Sequence, residues 1–324
     1  MRRLPILICS IGMLARAGYV SSATITVNTT EPGIYADELC SFAEAVENVN
    51  EGDVHSDCVA GGDGLNIIEF GQGETYLQRD GDGYDFLGGL TLINGNGSTF
   101  DAMNEEDQWG PLLIFEDTII SDLTIKGANF EYGAIWAWGR LYLNRCTFLN
   151  NRTGVRSERD DVLQITDSAF LSNGIAIDSD LGSTVIAQNT DFFSFSKAIY
   201  GPFYSAFDHL CVVTLLECAV NGNQDGIWVV TLEIRNSTVT NNGTGVTANS
   251  GVVENCTLSD NSVGVRLSAI TIGGERPRFE IRSSTVTRST GWGVYVGGGG
   301  GGIAHIRDST IHENETGLYG LADR

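Results

Sequence analysis

The chain has 324 residues, 19 Lys+Arg against 41 Asp+Glu, a formal net charge of -22, 41 glycines and 42% hydrophobic residues. This apolar content excludes a disordered chain, and the glycines lack the three-residue period of collagen. The negative charge repels phosphate backbones and anionic lipid surfaces, so we expect no nucleic acid partner.

The amino terminus predicts a secretory signal peptide. Arg2 and Arg3 precede an apolar run that begins at Leu4, and small residues follow at Ser21 and Ala23. The run is too short to span a bilayer, although an amino-terminal anchor helix is the alternative. We expect a secreted or cell-surface protein with no transmembrane span in the mature chain. The expected segments are a signal peptide at 1–23, an amino-terminal cap at 24–70 and the main body at 71–324.

The main body is a repeat with a period of about 18 to 28 residues. Each of nine repeats has a large apolar anchor, with another apolar residue five positions earlier and a small residue two positions earlier. The anchors are Phe130, Phe148, Phe170, Phe192, Val220, Val239, Leu258, Val286 and Ile311. Asn stands three positions after six of them, and a Gly-apolar pair often follows. We interpret each repeat as strand, Asn turn, Gly and strand, with Asn and Gly supplying the positive φ of a sharp corner.

The repeat predicts an all-β fold, a right-handed parallel β-helix of about nine or more coils that follows a short helix-containing cap. Its strands are rich in Val, Ile and Thr, which favour a pleated surface. A leucine-rich repeat is the competing solenoid. It requires an apolar residue two positions before the anchor, where this chain has small residues.

The cap carries a resemblance to a known family. We expect a strand at 24–29, an amphipathic helix over Asp37–Asn50 and a strand over Leu65–Phe70. Four residues of the helix region resemble the CSLREA cap of secreted bacterial right-handed parallel β-helix proteins, namely Cys40, Ser41, Glu44 and Ala45. Phe42 and Ala43 depart from that motif. The resemblance implies secretion and a following β-helix, and it implies no common catalytic activity.

A second, fainter resemblance lies within the repeats. The sequence Phe148-Leu149-Asn150-Asn151 and the sequence Tyr132-Gly133-Ala134-Ile135 are similar to repeats of chlamydial polymorphic outer-membrane adhesins. This resemblance supports the fold more than a particular role.

The cysteines sort by their positions. Cys40 and Cys58 flank the cap loop, and we expect them to form a disulfide in an oxidising compartment. Cys146, Cys218 and Cys256 are three of the small residues that stand two positions before an anchor, and we expect that column of small residues to point inward. Cys218 and Cys256 lie two coils apart, about 9.6 Å, which is too far for a disulfide. We expect buried free thiols there, while Cys211 reaches Cys218 only if the column is distorted.

An acidic cluster with two arginines is the main catalytic candidate. Its members are Asp160, Asp161, Asp178, Asp180, Asp191, Arg156 and Arg159. They belong to three adjacent coils, where carboxylates can hold Ca²⁺ against a uronate while an arginine removes a proton. A solvated acidic face is the alternative. The polygalacturonase motif is incomplete, because Asn189-Thr190-Asp191 occurs without a Gly-His-Gly.

Two further features point to binding. Trp136, Trp138 and Tyr142 alternate with apolar residues, so an outward orientation makes them a strip that can stack on sugar rings; the reverse orientation is the alternative.

The other feature is a candidate Ca²⁺ site. Asp80, Asp82 and Asp85 resemble half of a calcium loop, but Thr91 stands where that loop needs Glu. Ca²⁺ is the one cofactor that the sequence suggests.

We therefore expect an adhesin-like β-helix protein that binds extracellular glycan or a surface protein. The alternative is a polysaccharide lyase, epimerase or hydrolase acting on acidic polysaccharide, and a structural spacer is a third class. No catalytic motif is recognisable, so an enzyme, if present, resembles a pectate lyase or a glycosidase. The sequence shows no carboxy-terminal cap, which suggests end-to-end self-association.

Overall fold

A computed structural model of the protein describes residues 22–34, 37–51, 57–77, 85–102, 112–130, 132–158, 161–180, 182–201, 211–268, 276–297 and 302–320. The strands of these segments pair in parallel and wind into a right-handed parallel β-helix. The predicted fold class is therefore confirmed. No helix in the described segments is long and apolar enough to cross a membrane.

The secondary structure consists of one helix and short strands. The helix is α1 (Phe42–Glu51). In chain order the strands are β1 (Ala23–Thr26), β2 (Asn66–Glu69), β3 (Thr75–Leu77), β4 (Asp85–Leu87), β5 (Thr91–Asp101), β6 (Leu112–Ile114), β7 (Thr118–Lys126), β8 (Ile135–Ala137), β9 (Leu141–Asn144), β10 (Thr147–Leu149), β11 (Thr153–Ser157), β12 (Val162–Thr166), β13 (Ala169–Leu171), β14 (Ile175–Ser179), β15 (Thr184–Gln188), β16 (Asp191–Phe193), β17 (Lys197–Tyr200), β18 (Val212–Leu216), β19 (Ala219–Asn221), β20 (Asp225–Arg235), β21 (Thr238–Thr240), β22 (Thr244–Glu254), β23 (Thr257–Ser259), β24 (Val263–Leu267), β25 (Arg278–Arg282), β26 (Thr285–Thr287), β27 (Trp292–Val296), β28 (Ile303–Arg307), β29 (Thr310–His312) and β30 (Thr316–Gly320).

The strands stack into three faces. The first face contains β1, β2, β9, β12, β15, β18, β25 and β28 with parts of β5, β7, β20 and β22. The second face contains β3, β10, β13, β16, β19, β21, β23, β26 and β29 with the ends of β5 and β7. The third face contains β4, β6, β8, β11, β14, β17, β24, β27 and β30 with the first halves of β20 and β22. A rung is one layer of this stack.

The anchor residues form a buried column on the second face. Phe148 stands opposite Phe170, which stands opposite Phe192. All three are buried, and their rings stack with centroids 4.7 Å and 5.3 Å apart. These spacings are close to the strand separation of a sheet, so each ring packs on the next with no intervening layer.

The predicted anchor of the first repeat is wrong. Phe148 pairs with Ile125 rather than stacking on Phe130, and Ile125 in turn pairs with Phe100. Phe130 is buried beyond the end of β7. Ile125 and Phe130 are both apolar and five positions apart, so the repeat pattern fits either register, and only strand pairing separates them.

The Asn positions also differ from the prediction. The left-handed backbone falls one residue earlier, for example at Asn150 (φ 56°) and Asn241 (φ 55°). The predicted turn residues Asn151 and Asn242 are instead buried and hydrogen-bond along the rod. In these positions the amide satisfies buried backbone groups that lie at a corner.

Two Asn ladders result. In the first, the Asn151 Nδ2 donates to the Asn173 Oδ1 at 3.0 Å. In the second, the Asn223 Nδ2 donates to the Asn242 Oδ1 at 2.8 Å, and the Asn242 Nδ2 donates to the Asn261 Oδ1 at 3.1 Å. The following glycines are required by close approach: a Cβ at Gly245 would lie 2.6 Å from the Gly264 carbonyl oxygen.

The cap helix begins at Phe42, five residues later than predicted. Ser41 and Glu44 form a capping box, in which the Glu44 N–H donates to the Ser41 hydroxyl and the Ser41 N–H donates to the Glu44 carboxylate. The Phe42 ring contacts Phe70 and Phe100, with centroids 5.1 Å and 5.3 Å away. The helix therefore packs on the first rungs. The predicted signal peptide lies outside the described residues except for its last two positions, and Ala23 begins β1.

The cysteines follow the prediction. Cys40 and Cys58 form a disulfide with Cα atoms 4.8 Å apart. The remaining thiols of the described segments are free and buried, namely Cys146, Cys211, Cys218 and Cys256. Both assignments are therefore confirmed.

We expect these four thiols to resist alkylation in the folded protein. Burial raises the pKa of Cys146, Cys211 and Cys218 to about 11, and it also raises the pKa of Cys256. In the folded protein these cysteines therefore stay protonated at pH values where an exposed cysteine is ionised. The free energy of unfolding falls as the pH rises through about 9, because the thiols ionise in the unfolded chain but not in the folded one. Mass spectrometry of iodoacetamide-treated protein should find these peptides modified only after denaturation. Rapid labelling in the native state would contradict the burial.

Candidate ligand-binding face

The outward side chains of the third face form one continuous column. Alternate residues of a strand point to opposite faces of the sheet, and Val155 and Ile177 point inward, fully buried. The residue that follows each of them points outward and pairs with its equivalent in the next rung. The outward column runs Leu113, Trp136, Arg156, Asp178, Tyr200, Trp228, Thr247, Arg266, Tyr295 and Tyr319.

Tyr132, Trp136, Arg156 and Glu158 form what we call the amino-terminal set. The Tyr132 and Trp136 rings stack with centroids 4.2 Å apart, and the Arg156 guanidinium lies 5.0 Å from the Tyr132 centroid. The Trp136 Nε1 donates to the Glu158 Oε1 at 2.6 Å, and the Arg156 Nε donates to the same oxygen at 3.0 Å. Glu158 thus fixes both the indole and the guanidinium.

Lys197, Tyr200, Asp225 and Trp228 form the central set. The Lys197 Nζ lies 3.6 Å from the Tyr200 centroid and 5.2 Å from the Trp228 centroid. Asp225 occupies the rung position next to Lys197. The cation therefore interacts with two aromatic rings and with a carboxylate.

Arg266, Trp292, Tyr295 and Tyr319 form the carboxyl-terminal set. The Tyr295 ring stacks on Tyr319 at 5.3 Å and lies 4.8 Å from the Trp292 ring. The Arg266 guanidinium lies 5.7 Å from the Tyr295 centroid. Trp292 and Tyr319 are exposed, so this set offers open aromatic surface.

Two carboxyl groups of this face titrate above their usual range. Burial raises the pKa of Asp178 and outweighs the opposing effect of Arg156, whose Nη1 lies 3.7 Å from the Asp178 Oδ2. Burial likewise raises the pKa of Asp225, against the opposing effects of Lys197 and Arg266. Both aspartates therefore hold a proton at higher pH than an exposed aspartate does.

The structure divides the predicted aromatic strip. Trp136 and Trp138 lie on the third face, with ring centroids 5.4 Å apart. Trp136 is only 7% exposed, because Tyr132 and Glu158 contact it, whereas Trp138 is 47% exposed. Tyr142 belongs to β9 on the first face, around a corner of the rod. Of the two tryptophans, Trp138 is therefore the one whose ring is open to a ligand, and Tyr142 faces a different direction.

The predicted catalytic cluster is also only partly assembled. Arg156 and Asp178 come together on the third face. Asp161 immediately precedes β12 and Asp180 directly follows β14, at the ends of strands, while Asp191 is exposed on the second face. Arg159 and Asp160 lie outside the described residues.

The predicted Ca²⁺ ligands fall largely outside the described part of the chain. Asp80 and Asp82 lie in residues 78–84, and for Asp85 only the backbone at the start of β4 is described. Among the side chains that are described, no group of three or more His, Cys, Asp or Glu is arranged to hold a metal ion.

Sequence reasoning missed most of this face, although a signal for it exists. The outward residue directly follows the Gly-apolar pair, as in Gly226-Ile227-Trp228 and Gly264-Val265-Arg266. Aligning the repeats on that pair places the outward column in register. The residues missed were Tyr132, Glu158, Lys197, Tyr200, Asp225, Trp228, Arg266, Trp292, Tyr295 and Tyr319.

Comparison with known proteins agrees with this architecture. Residues 165–323 match the family model described as "Right handed beta helix region". The A-modules of the mannuronan C-5 epimerases AlgE4 and AlgE6 of Azotobacter vinelandii are similar in structure, each with 14% identity, 81% of this chain and 91% of the other covered, and a TM-score of 0.51. PfbA, a surface adhesin of Streptococcus pneumoniae, has 11% identity, 86% coverage of both chains and a TM-score of 0.50. At these identities the likeness shows the fold alone, and comparison with curated proteins found no match.

Proposed function

We propose that this right-handed parallel β-helix protein is a secreted or cell-surface, adhesin-like protein that binds extracellular glycan along its third face. The observation that carries the proposal is the outward column, in which aromatic rings recur beside charged groups on consecutive rungs. An aromatic ring stacks on the apolar face of a sugar, and adjacent carboxylates and cations hydrogen-bond its hydroxyls. The in-register strands hold these groups on a rigid surface, which lowers the entropy lost on binding.

Other observations support the location. The disulfide is typical of an oxidising compartment, and the predicted signal peptide gives a route to it. A surface adhesin shares the fold, which is consistent with a β-helix that presents a binding face outside the cell.

Removing the central rings should strongly reduce glycan binding. We expect the double variant Tyr200→Ala/Trp228→Ala to lower the affinity by roughly 10–100-fold, because anchor aromatics contribute most of the energy of such interfaces. A glycan array identifies a ligand, and calorimetry then compares the variant with the wild type. Tyr142→Ala is the matched control, since it removes a ring from the first face and should leave the affinity unchanged. A wild-type protein that binds no glycan, or an equal loss in the control, would refute the proposal.

A second candidate is an enzyme acting on acidic polysaccharide. The observation that favours it is Asp178, a carboxyl with a raised pKa that lies against Arg156 and pairs with Tyr200 in the next rung. A carboxyl group whose pKa is raised by burial and that lies beside an arginine is a candidate general acid or base. Polysaccharide epimerases share the fold.

The enzymatic candidate has its own test. On incubation with polyuronates, it predicts epimerised residues or unsaturated ends, detected by NMR and ultraviolet absorbance. Asp178→Asn should reduce the rate by roughly 10²–10⁴-fold, as expected when a general acid or base is removed. Asp191→Asn on the second face is the control. If the wild-type protein forms no such products, the enzymatic candidate is refuted and the glycan-binding proposal remains.

A further inference from the structure

The three sets follow one another along the rod. In the outward column the nearest rings of neighbouring sets are three rungs apart, from Trp136 to Tyr200 and from Trp228 to Tyr295. At the strand spacing of a sheet, three rungs correspond to about 14 Å. The column residues between these rings carry no ring themselves. Neighbouring sets are therefore separated by about 14 Å, measured from ring to ring along the rod.

The cations of this face are already balanced by carboxylates. The Arg156 guanidinium contacts both Glu158 and Asp178, at 3.0 Å and 3.7 Å. Lys197 and Arg266 both act on Asp225. Among the described residues, the charged groups that face the column are the cations Arg156, Lys197 and Arg266 and the acids Glu158, Asp178, Asp180 and Asp225. These described groups carry no surplus of positive charge, and the whole chain carries a net charge of -22. A polyanion would therefore meet repulsion along the rod.

We infer that the ligand of the third face is an uncharged linear glycan that lies parallel to the rod axis and stacks on the three sets at once. This inference rests on the proposed function and adds the ligand's charge class and its orientation. Pyranose units with equatorial hydroxyls present flat apolar faces to the rings. Their hydroxyls donate to Asp225 and accept from Lys197 and Arg266, so these charged groups hydrogen-bond an uncharged ligand.

The orientation follows from the shape of the face. Along the rod axis the outward side chains stand in register, because the pairing of β17 with β20 and of β20 with β22 contains no bulge. A straight glycan that lies along the rod axis can contact the rings of successive sets. A glycan that lies across the rod can contact only one set before it reaches the corner of the face. Only the lengthwise orientation lets one ligand use sets that are about 14 Å apart.

Length dependence of affinity tests this inference. Uncharged β-1,4-linked oligosaccharides of glucose, mannose and xylose, from the disaccharide to the decasaccharide, are titrated calorimetrically against the full chain. Galacturonate oligosaccharides of the same lengths serve as the charged comparison. We expect affinity for an uncharged series to rise by on the order of tenfold or more once the ligand reaches a second set, because the added contact is intramolecular. Galacturonates of equal length should bind more weakly.

A variant of the carboxyl-terminal set tests the three-set arrangement. Trp292→Ala/Tyr295→Ala should remove the gain of the longest ligands and change the affinity of the shortest by less than about twofold, with an unchanged melting temperature as the folding control. Tighter binding of galacturonates would overturn the uncharged class while leaving glycan binding intact. Uncharged binding without length dependence would overturn the orientation. No binding of any glycan would overturn the proposed function as well.

Discussion

Replacing Phe170 with alanine is expected to lower the free energy of unfolding by about 3–5 kcal/mol. The ring is fully buried and stacks between Phe148 and Phe192 in the second-face column. Its removal leaves a cavity in the middle of the rod, and the backbone cannot collapse into it because the flanking strands are paired on both sides. Urea unfolding followed by circular dichroism measures the change.

Phe195→Ala is the matched control for this experiment. Phe195 lies at the corner after β16 and is 85% exposed, so the same substitution removes almost no buried surface. We expect a change within about 0.5 kcal/mol, as for ordinary surface substitutions. Equal effects at the two positions would show that the Phe170 column is not a packed core.

Replacing Asn242 with alanine is expected to cost roughly 2–4 kcal/mol. Its Oδ1 accepts from both the backbone N–H and the side chain of Asn223, and its Nδ2 donates to the Asn261 side chain and the Val220 carbonyl oxygen. Alanine removes the acceptor of the buried Asn223 backbone N–H and the side-chain donor to the Val220 carbonyl oxygen, and a buried group left unsatisfied carries a desolvation penalty.

The control for Asn242 is Thr240→Ala in the same coil. Thr240 is half-buried, points outward and makes one long side-chain hydrogen bond, 3.3 Å, to Asn221. Its loss should change stability by less than about 0.5 kcal/mol. A double-mutant cycle of Asn242→Ala with Asn261→Ala should show a coupling above about 0.5 kcal/mol, because the two amides belong to one network. Simple additivity would contradict the ladder.

The repeat made the fold predictable because each interior position of a solenoid requires a side chain of similar size and polarity in every coil. Phe148, Phe170 and Phe192 each fill the same slot, so a large apolar residue recurs at the same place in successive repeats. Small residues such as Cys146 and Ser168 recur two positions before these anchors for the same reason. The Cys40–Cys58 disulfide followed from the placement of those residues in the cap.

The candidate face was harder to predict because the outside imposes no common requirement on the coils. Trp136, Asp178 and Tyr200 occupy equivalent outward positions and have nothing in common chemically. The coils also differ in length, so residues 19 to 28 positions apart become neighbours only when strand pairing fixes the register. Tyr142 shows the opposite case: it is close to Trp138 in sequence, but a corner separates them.

The sequence by itself determined the strands, the apolar interior and the cap helix, because burial and backbone geometry act on each coil locally. The tertiary structure alone decided which outward residues meet. Strand pairing brings Lys197 beside Tyr200 and Trp228, and Arg156 beside Asp178. It also stacks the buried Asn residues, whose side chains hydrogen-bond one another in ladders. The physical reason is that stacking brings together groups from different coils, and its register is set by the paired backbone rather than by those side chains.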